Sequence, residues 1–248
     1  PNWVGQANYA RIFTADPKFV QSMKVTMFFV VFSVPLKLAF ALAVAMMLNR
    51  GIKGLPIYRA IFYLPSLLGA SVAIAVLWRE LFAGDGLVNH ALAIFGIQGP
   101  SWISNPRYSL WTLVVLSIWQ FGSPMVIFLA GLRQIPTDMY EAASLDGASK
   151  GRQFYKITLP LLTPVIFFNA VIQTIEAFKS FTPAFIISGG TGNPVNSTLF
   201  YTLYLYQEAF AHFRMGYAAA LAWILLAIIA VFTGISFLSS KYWVHYDD

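Results

Sequence analysis

Residues 216–239 read GYAAALAWILLAIIAVFTGISFLS, a run without one charged side chain. An α-helix needs about 20 mostly apolar residues to cross a bilayer, and this stretch exceeds that. Four more stretches meet the same requirement: 20–48 (VQSMKVTMFFVVFSVPLKLAFALAVAMML), 58–82 (YRAIFYLPSLLGASVAIAVLWRELF), 108–132 (YSLWTLVVLSIWQFGSPMVIFLAGL) and 160–187 (PLLTPVIFFNAVIQTIEAFKSFTPAFII). Each is edged by Trp, Tyr, Lys or Arg, the residues that anchor helix ends at the membrane interface. The expected fold class is all-α: a polytopic membrane protein with five transmembrane helices, forming a single transmembrane domain over residues 1–248.

Composition agrees with that pattern. Of the 248 residues, 58% are hydrophobic and 10% charged. A soluble domain carries about 25% charged residues, so this chain lacks the polar surface such a domain needs. Disorder is excluded too, because it requires low hydrophobicity. The net charge of +6 is too sparse for a nucleic-acid groove. There is no cysteine, hence no disulfide framework, thiolate nucleophile or Cys-type metal site. His90, His212 and His245 stand apart from one another, which argues against a metal site or a catalytic triad.

Charge sets the orientation. The link between the first two spans carries Arg50, Lys53 and Arg59, the link between the third and fourth carries Arg133, Lys150, Arg152 and Lys156, and the C-terminal tail adds Lys241. The opposite links hold only Arg79 and Arg107, and then Arg214. The positive-inside rule makes the first group cytoplasmic, with Pro1 outside and Asp248 inside. The chain opens on PNWVGQANYARIFTADPKF, polar and aromatic, with no initiating Met or signal peptide. A sixth span is therefore expected upstream. Pro35, Pro65, Pro124, Pro164 and Pro183 fall within spans. Each removes a backbone hydrogen bond and is expected to bend its helix.

The longest cytoplasmic link, residues 133–160, reads RQIPTDMYEAASLDGASKGRQFYKITLP. Asp138 is placed to cap a short helix, with Glu141 at its third position. Met139, Tyr140, Ala142, Ala143 and Leu145 give that helix apolar surface, and Gly147 ends it. Ser149 is placed to cap a second short helix through Phe154 and Ile157, and Pro160 then starts the fourth span. The physical expectation is a helix–turn–helix lying across the cytoplasmic face. From the residues alone it is either an amphipathic segment on lipid headgroups or a contact surface for a partner.

Spacing separates the two. Glu141, Ala142, Ala143, Gly147, Ile157, Leu159 and Pro160 fit E-A-A-x3-G-x9-I-x-L-P at every position. With usage of roughly 5–10% per residue type, a chance match is on the order of one in a million. The pattern resembles the EAA loop of the membrane subunits of binding-protein-dependent ABC importers. The likeness runs along the chain. NWVGQANYARIF, RAIFYLPSLLGASVAIAVLWRELF and FLAGLRQIPTDMYEAASLDGA resemble blocks of the carbohydrate-importer permeases of the maltose and glycerol-phosphate type.

That resemblance implies a type I importer permease fold and a subunit of an ATP-driven importer. Its cargo would be a carbohydrate, an oligosaccharide by expectation, crossing the inner membrane by alternating access. It implies a second permease subunit, a related but different chain, two cytoplasmic ATPases and an external substrate-binding protein. Glu141, Ala142, Ala143 and Gly147 would contact the ATPase, and Ile157, Leu159 and Pro160 would join the loop to the fourth span. This chain would not be an enzyme and would hold no cofactor, since ATP and Mg would be bound by the partner subunits. In keeping, the sequence has no G-x4-G-K-[ST] phosphate loop. The glycine-rich run 188–194 has no Lys and reads as a flexible turn. The family's F-D pair is Phe181-Thr182 here, so that segment gives no guide to substrate.

Polar residues inside spans are costly and usually face a protein interior. Asn169, Gln173, Glu176 and Lys179 recur at three- and four-residue spacing in the fourth span, and Lys37 lies just past the middle of the first. With Phe181 they form a candidate substrate path. The two lysines favour an anionic sugar such as a uronate oligomer, and Glu176 weakens that preference. A channel or carrier not driven by ATP, with a loop that mimics the motif, is the alternative reading.

Overall fold

The computed structural model describes residues 4–51, 54–69 and 71–245. Every regular element among them is helical: α1 (Ala7–Ala15), α2 (Pro17–Leu48), α3 (Leu55–Leu68), α4 (Val72–Leu81), α5 (Leu87–Ile94), α6 (Pro106–Trp119), α7 (Gly122–Leu132), α8 (Thr137–Leu145), α9 (Lys150–Gln153), α10 (Leu159–Phe178), α11 (Thr182–Ile187), α12 (Tyr201–Tyr206) and α13 (Met215–Trp243). Three continuous rods are long and apolar enough to cross a membrane, built on α2, α10 and α13. The pairs α3–α4 and α6–α7 bring the total to five if each is one broken span. On that count the five expected spans are present, two of them as broken helices. The bend is 94° between α3 and α4 and 42° between α6 and α7.

The prolines act unequally, for a local reason. Pro124 falls in the first turn of α7, so α6 cannot continue through it and the carbonyl of Gln120 is left over. The Ser66 hydroxyl donates to that carbonyl at 2.9 Å and accepts from the backbone N–H of Ser123 at 2.9 Å, splicing the break. Gly122 lets this happen: a Cβ there would collide with the Phe62 carbonyl and lie 2.7 Å from the Cα of Tyr63. Pro164, in contrast, leaves α10 intact. The Thr163 hydroxyl donates to the Pro160 carbonyl that Pro164 cannot reach, at 2.6 Å.

The fourth span also starts earlier than expected. Pro160 does not open it. The chain is helical without a break from Lys150, through a π-turn at Phe154–Thr158, to Phe178. The π-turn carries an i→i−5 bond from Leu159 N–H to the Phe154 carbonyl. This widening accommodates the missing N–H of Pro160. At the far end the rod stops at Phe178, and α11 begins after a break.

Helix α2 is the centre of the bundle and packs on α6, α7, α10 and α12. Its buried residues feed two clusters. One gathers Phe29, Leu113, Phe178, Phe200 and Tyr201, and the other Ala41, Ala45, Met125, Phe128, Leu129 and Leu162. The small Ala41 and Ala45 admit α7 closely, the usual basis of helix packing in lipid. Trp223, Leu226, Ile235 and Leu238 on α13 are exposed. An apolar face of that extent belongs in a bilayer or against another protein.

Hydrogen bonds fix which ends of the rods lie together. Asp16, at the start of α2, accepts hydrogen bonds from the hydroxyls of Tyr204 and Tyr217, which sets the starts of α2 and α13 side by side. Burial works against the charge on Asp16, but the Tyr204 and Tyr217 hydroxyls and the Phe19 N–H together hold its carboxyl below the usual carboxylate range. At the other end His245 N–H donates to Thr163 at 2.9 Å, joining the end of α13 to the start of α10. Pro1, Lys53 and Asp248 lie outside the described residues.

Candidate functional site

Two features carry chemistry: a hairpin at the lysine- and arginine-rich end and a polar cavity within the bundle. The hairpin is α8 followed by α9. Helix α8 has no buried residue. Asp138 does not cap it as expected. The N-cap position is Pro136, without a side-chain cap, and Asp138 sits inside the first turn, where a carboxylate favours the helix dipole. Ser149 does cap α9, accepting from Arg152 N–H at 3.4 Å. Gly147 ends α8 in the left-handed conformation, φ +75°, and Ala148 N–H reaches back to the Ala143 carbonyl at 2.8 Å. That is a Schellman closure, for which glycine is the favoured residue.

Three residues that the motif does not include hold the hairpin on the bundle. Gln153 is buried, and its Nε2 donates to Ser144 Oγ at 2.9 Å and to the Ala148 carbonyl at 3.2 Å. Tyr140 and Thr158 share a hydroxyl–hydroxyl bond of 2.9 Å. A glutamine in a polar link is unremarkable, so the sequence carried no signal for the first. The tyrosine and threonine offered none. The outward face presents Glu141 and Ala142 together with Leu145, which is 90% exposed, while Ala143 is half-buried. Ile157 packs inward against the cluster of Ala41, Met125, Phe128 and Leu162, and Leu159 and Pro160 continue the rod.

The cavity, of about 240 Å³, lies where α2, α6, α10 and α11 converge. Lys37, Gln173, Glu176, Lys179 and Phe181 all line it, so the sequence-selected path residues are brought together with one exception. Asn169 is absent from the lining. It is 1% exposed, and neither polar atom of its side chain finds a partner. The lining adds Gly69, Ser117, Gln120, Ser180 and Thr182. Gln120 sits at the α6–α7 break and donates to the Gly69 carbonyl at 3.0 Å, so both broken spans meet at the cavity wall. A polar amide inside an apolar span was a signal for Gln120, by the same cost argument that selected Gln173.

Charges in the cavity are unevenly matched. Lys179 and Glu176 form an ion pair at 2.9 Å. Lys37 has no hydrogen bond or ion pair among the described residues. It lies 13 residues before Arg50, or about 20 Å along the helix at 1.5 Å per residue. That depth is near the middle of a hydrocarbon layer about 30 Å thick. A lysine there costs roughly 2.5–3.5 kcal/mol against lipid, a cost the polar cavity relieves. Phe181 stacks on Phe185 and Tyr206 with ring centroids 5.3 and 5.2 Å apart, forming an aromatic wall.

The glycine-rich loop differs from a free turn. Gln207 donates to the Gly190 carbonyl at 2.8 Å, Thr198 to the Asn193 carbonyl at 2.9 Å, and Ser109 and Ser197 share a bond of 2.7 Å. These bonds tie it onto α6 and the segment after α12. Among the described residues no group of His, Cys, Asp or Glu could hold a metal ion.

Membrane-crossing rods around a polar cavity, with an exposed hairpin at their lysine- and arginine-rich end, define a membrane transport protein. The chain belongs to the binding-protein-dependent transport system inner membrane components, whose family model matches residues 12–242. It is therefore a multi-pass inner-membrane transport subunit and not an enzyme. It is 55% identical over 248 residues to the probable ABC transporter permease protein YesP of Bacillus subtilis, covering 100% of this chain and 80% of that protein. It is 32% identical over 242 residues to the lactose transport system permease protein LacF of Rhizobium radiobacter, covering 96% and 80%. A solved bacterial alginate ABC transporter, in complex with an alginate pentasaccharide-bound periplasmic protein, superposes with a TM-score of 0.84 over 96% of this chain and 83% of that one. At 21% identity the superposition shows the shared fold alone.

Proposed function

We propose that this chain forms one half of the path of an ATP-driven carbohydrate importer and that α8 is its contact with a cytoplasmic ATPase. The observation that carries the reading is the continuous helix from Lys150 to Phe178. Its first turn holds the hairpin through Gln153, and its last turns supply Gln173 and Glu176 to the cavity. Over 29 residues it spans about 42 Å, so a push on α8 reaches the cavity through one rigid element.

In this reading Glu141, Ala142, Ala143 and Gly147 meet the ATPase. Ile157, Leu159 and Pro160 pass its movement into α10, and the cavity opens to alternate sides as the ATPases close and release. Two ATPase subunits bind and hydrolyse ATP with Mg. A second permease chain, related but different, closes the path, and an external binding protein delivers the sugar. The whole of 1–248 acts as one transmembrane domain. Lys37, Gln173, Glu176, Lys179 and Phe181 contact the cargo in passage. An oligosaccharide cargo is supported by the lactose permease among the relatives and by the alginate importer that shares the fold. The aromatic wall at Phe181 suits the apolar face of a sugar ring.

The test is capture of the ATPase. A tag on this chain should bring down an ATP-hydrolysing subunit, and replacing residues 137–148 by a Gly-Ser linker should abolish capture while membrane insertion persists. Undiminished capture without the hairpin removes α8 from the contact.

A further inference from the structure

We infer that the cargo is an anionic sugar and that Lys37 receives its carboxylate, an inference that rests on the carbohydrate-import reading above. Three charged side chains line the cavity, two lysines and one glutamate, so the lining carries one excess positive charge: Glu176 bonds Lys179 at 2.9 Å and attracts Lys37 at longer range. Lys37 is left as the one cation in the lining without a partner among the described residues. It stands near the membrane midplane on α2, too deep for its ammonium to snorkel to headgroups. In an open cavity water can solvate it. When the path closes around a cargo, water leaves, and two ammonium groups sharing the single carboxylate of Glu176 leave one positive charge uncompensated, which becomes costly. A neutral sugar leaves that cost standing, whereas a carboxylate on the cargo removes it.

The surrounding groups fit the rest of such a molecule. The Gln173 carboxamide lines the cavity and has no partner among the described residues, so its N–H and C=O can serve sugar hydroxyls. Gln120 donates to the Gly69 carbonyl and keeps its own oxygen free to accept. Phe181 offers a ring face. A carboxylate suits the site better than a phosphate. The lining has one free ammonium and no guanidinium fork, a point charge matched to a single negative group.

The experiment uses the complete importer, reconstituted in proteoliposomes with its partner permease, ATPases and binding protein. The probes are trisaccharides of galacturonate, mannuronate and guluronate, each paired with its fully methyl-esterified form, which keeps the shape and removes the charge. Import of acid over ester is measured for the wild type, Lys37→Gln and Lys37→Arg. The binding protein is common to all three, so its own preference cancels in the comparison. The wild type should favour at least one acid, Lys37→Gln should lower that acid-to-ester ratio about tenfold or more, and Lys37→Arg should keep most of it. An unchanged ratio in Lys37→Gln overturns the inference, as does failure of the wild type to import any acid. Lost assembly in Lys37→Gln would assign Lys37 to a carboxylate of the second permease and also overturn it. ATP-dependent import of neutral sugars in those cases leaves the importer reading intact, whereas uptake that ignores ATP removes the importer reading itself.

Discussion

Gly147 offers the sharpest perturbation of the hairpin because its cost separates into parts. The residue holds φ +75° and closes α8 through the Ala148-to-Ala143 bond of 2.8 Å. A Cβ added there meets nothing within 4 Å, so substitution brings no clash with neighbours. What remains is the backbone cost of a left-handed L-residue, about 1–2 kcal/mol. That is a factor of about 5–30 in the ratio of closed to open hairpin. Gly147→Ala should therefore insert normally but capture ATPase several-fold less well. Gly147→Val should be worse because of its branched Cβ, and Gly147→Asn should stay near wild type because asparagine tolerates this conformation. Gly151→Ala is the control: that glycine lies in α9 with right-handed backbone and equally open space, so no loss is expected. The assay is ATPase co-purified with the tagged chain at several ATPase concentrations, normalised to membrane level. Wild-type capture by Gly147→Ala, or a failure of Asn as deep as that of Val, would refute the reasoning.

Other residues make further predictions. Gln153→Ala removes the donor to the Ser144 hydroxyl and the Ala148 carbonyl, a loss of about 0.5–1.5 kcal/mol per bond because water can reach both acceptors. Proteolysis within 137–148 should accelerate in that variant while the spans stay protected. Asn169→Leu removes two buried polar atoms that have no partner, so the thermal midpoint of the complex should rise and transport should persist; a lower midpoint would mean that Asn169 has a partner in the assembly. Asp16 has a lowered folded-state pKa, so its stabilising contribution is present above the usual carboxylate value and is lost as the pH falls through the lowered one. Melting should accordingly be insensitive to this group from about pH 8 down to about pH 5, and Asp16→Asn should destabilise at neutral pH. A transition near neutrality that vanishes in Asp16→Asn would contradict this.

Much of this architecture was legible because lipid imposes a simple rule. Twenty apolar residues in a row have few other uses, so the five crossings could be read from residues alone. Breaks inside them could not. Pro124 and Pro164 look alike in sequence, yet one ends a helix and the other does not. The outcome depends on Ser66, from another span, and on Thr163, one residue before its proline. Cavity membership was partly legible for the same reason. The cost of polar groups in lipid selected Lys37, Gln173, Glu176 and Lys179, and the cavity contains all four. Helical periodicity also admitted Asn169, which points into packing instead, because spacing alone cannot say which side of a polar stripe a neighbour covers. In the hairpin Glu141 and Ala142 of the motif lie on the outward surface, while the clamp made by Gln153, Tyr140 and Thr158 depends on side chains meeting across a turn.

The central claim is that ATP hydrolysis acts through α8 and the Lys150–Phe178 rod to move sugar through the cavity. Its most direct measurement is uptake of labelled oligosaccharide into proteoliposomes holding the whole importer, with ATP hydrolysis followed in the same vesicles. The account predicts uptake that requires ATP, and a Gly147→Val variant in which uptake and sugar-stimulated hydrolysis fall together while assembled spans remain. Uptake at the wild-type rate with the ATPases inactivated, or in Gly147→Val with hydrolysis unstimulated, would contradict it.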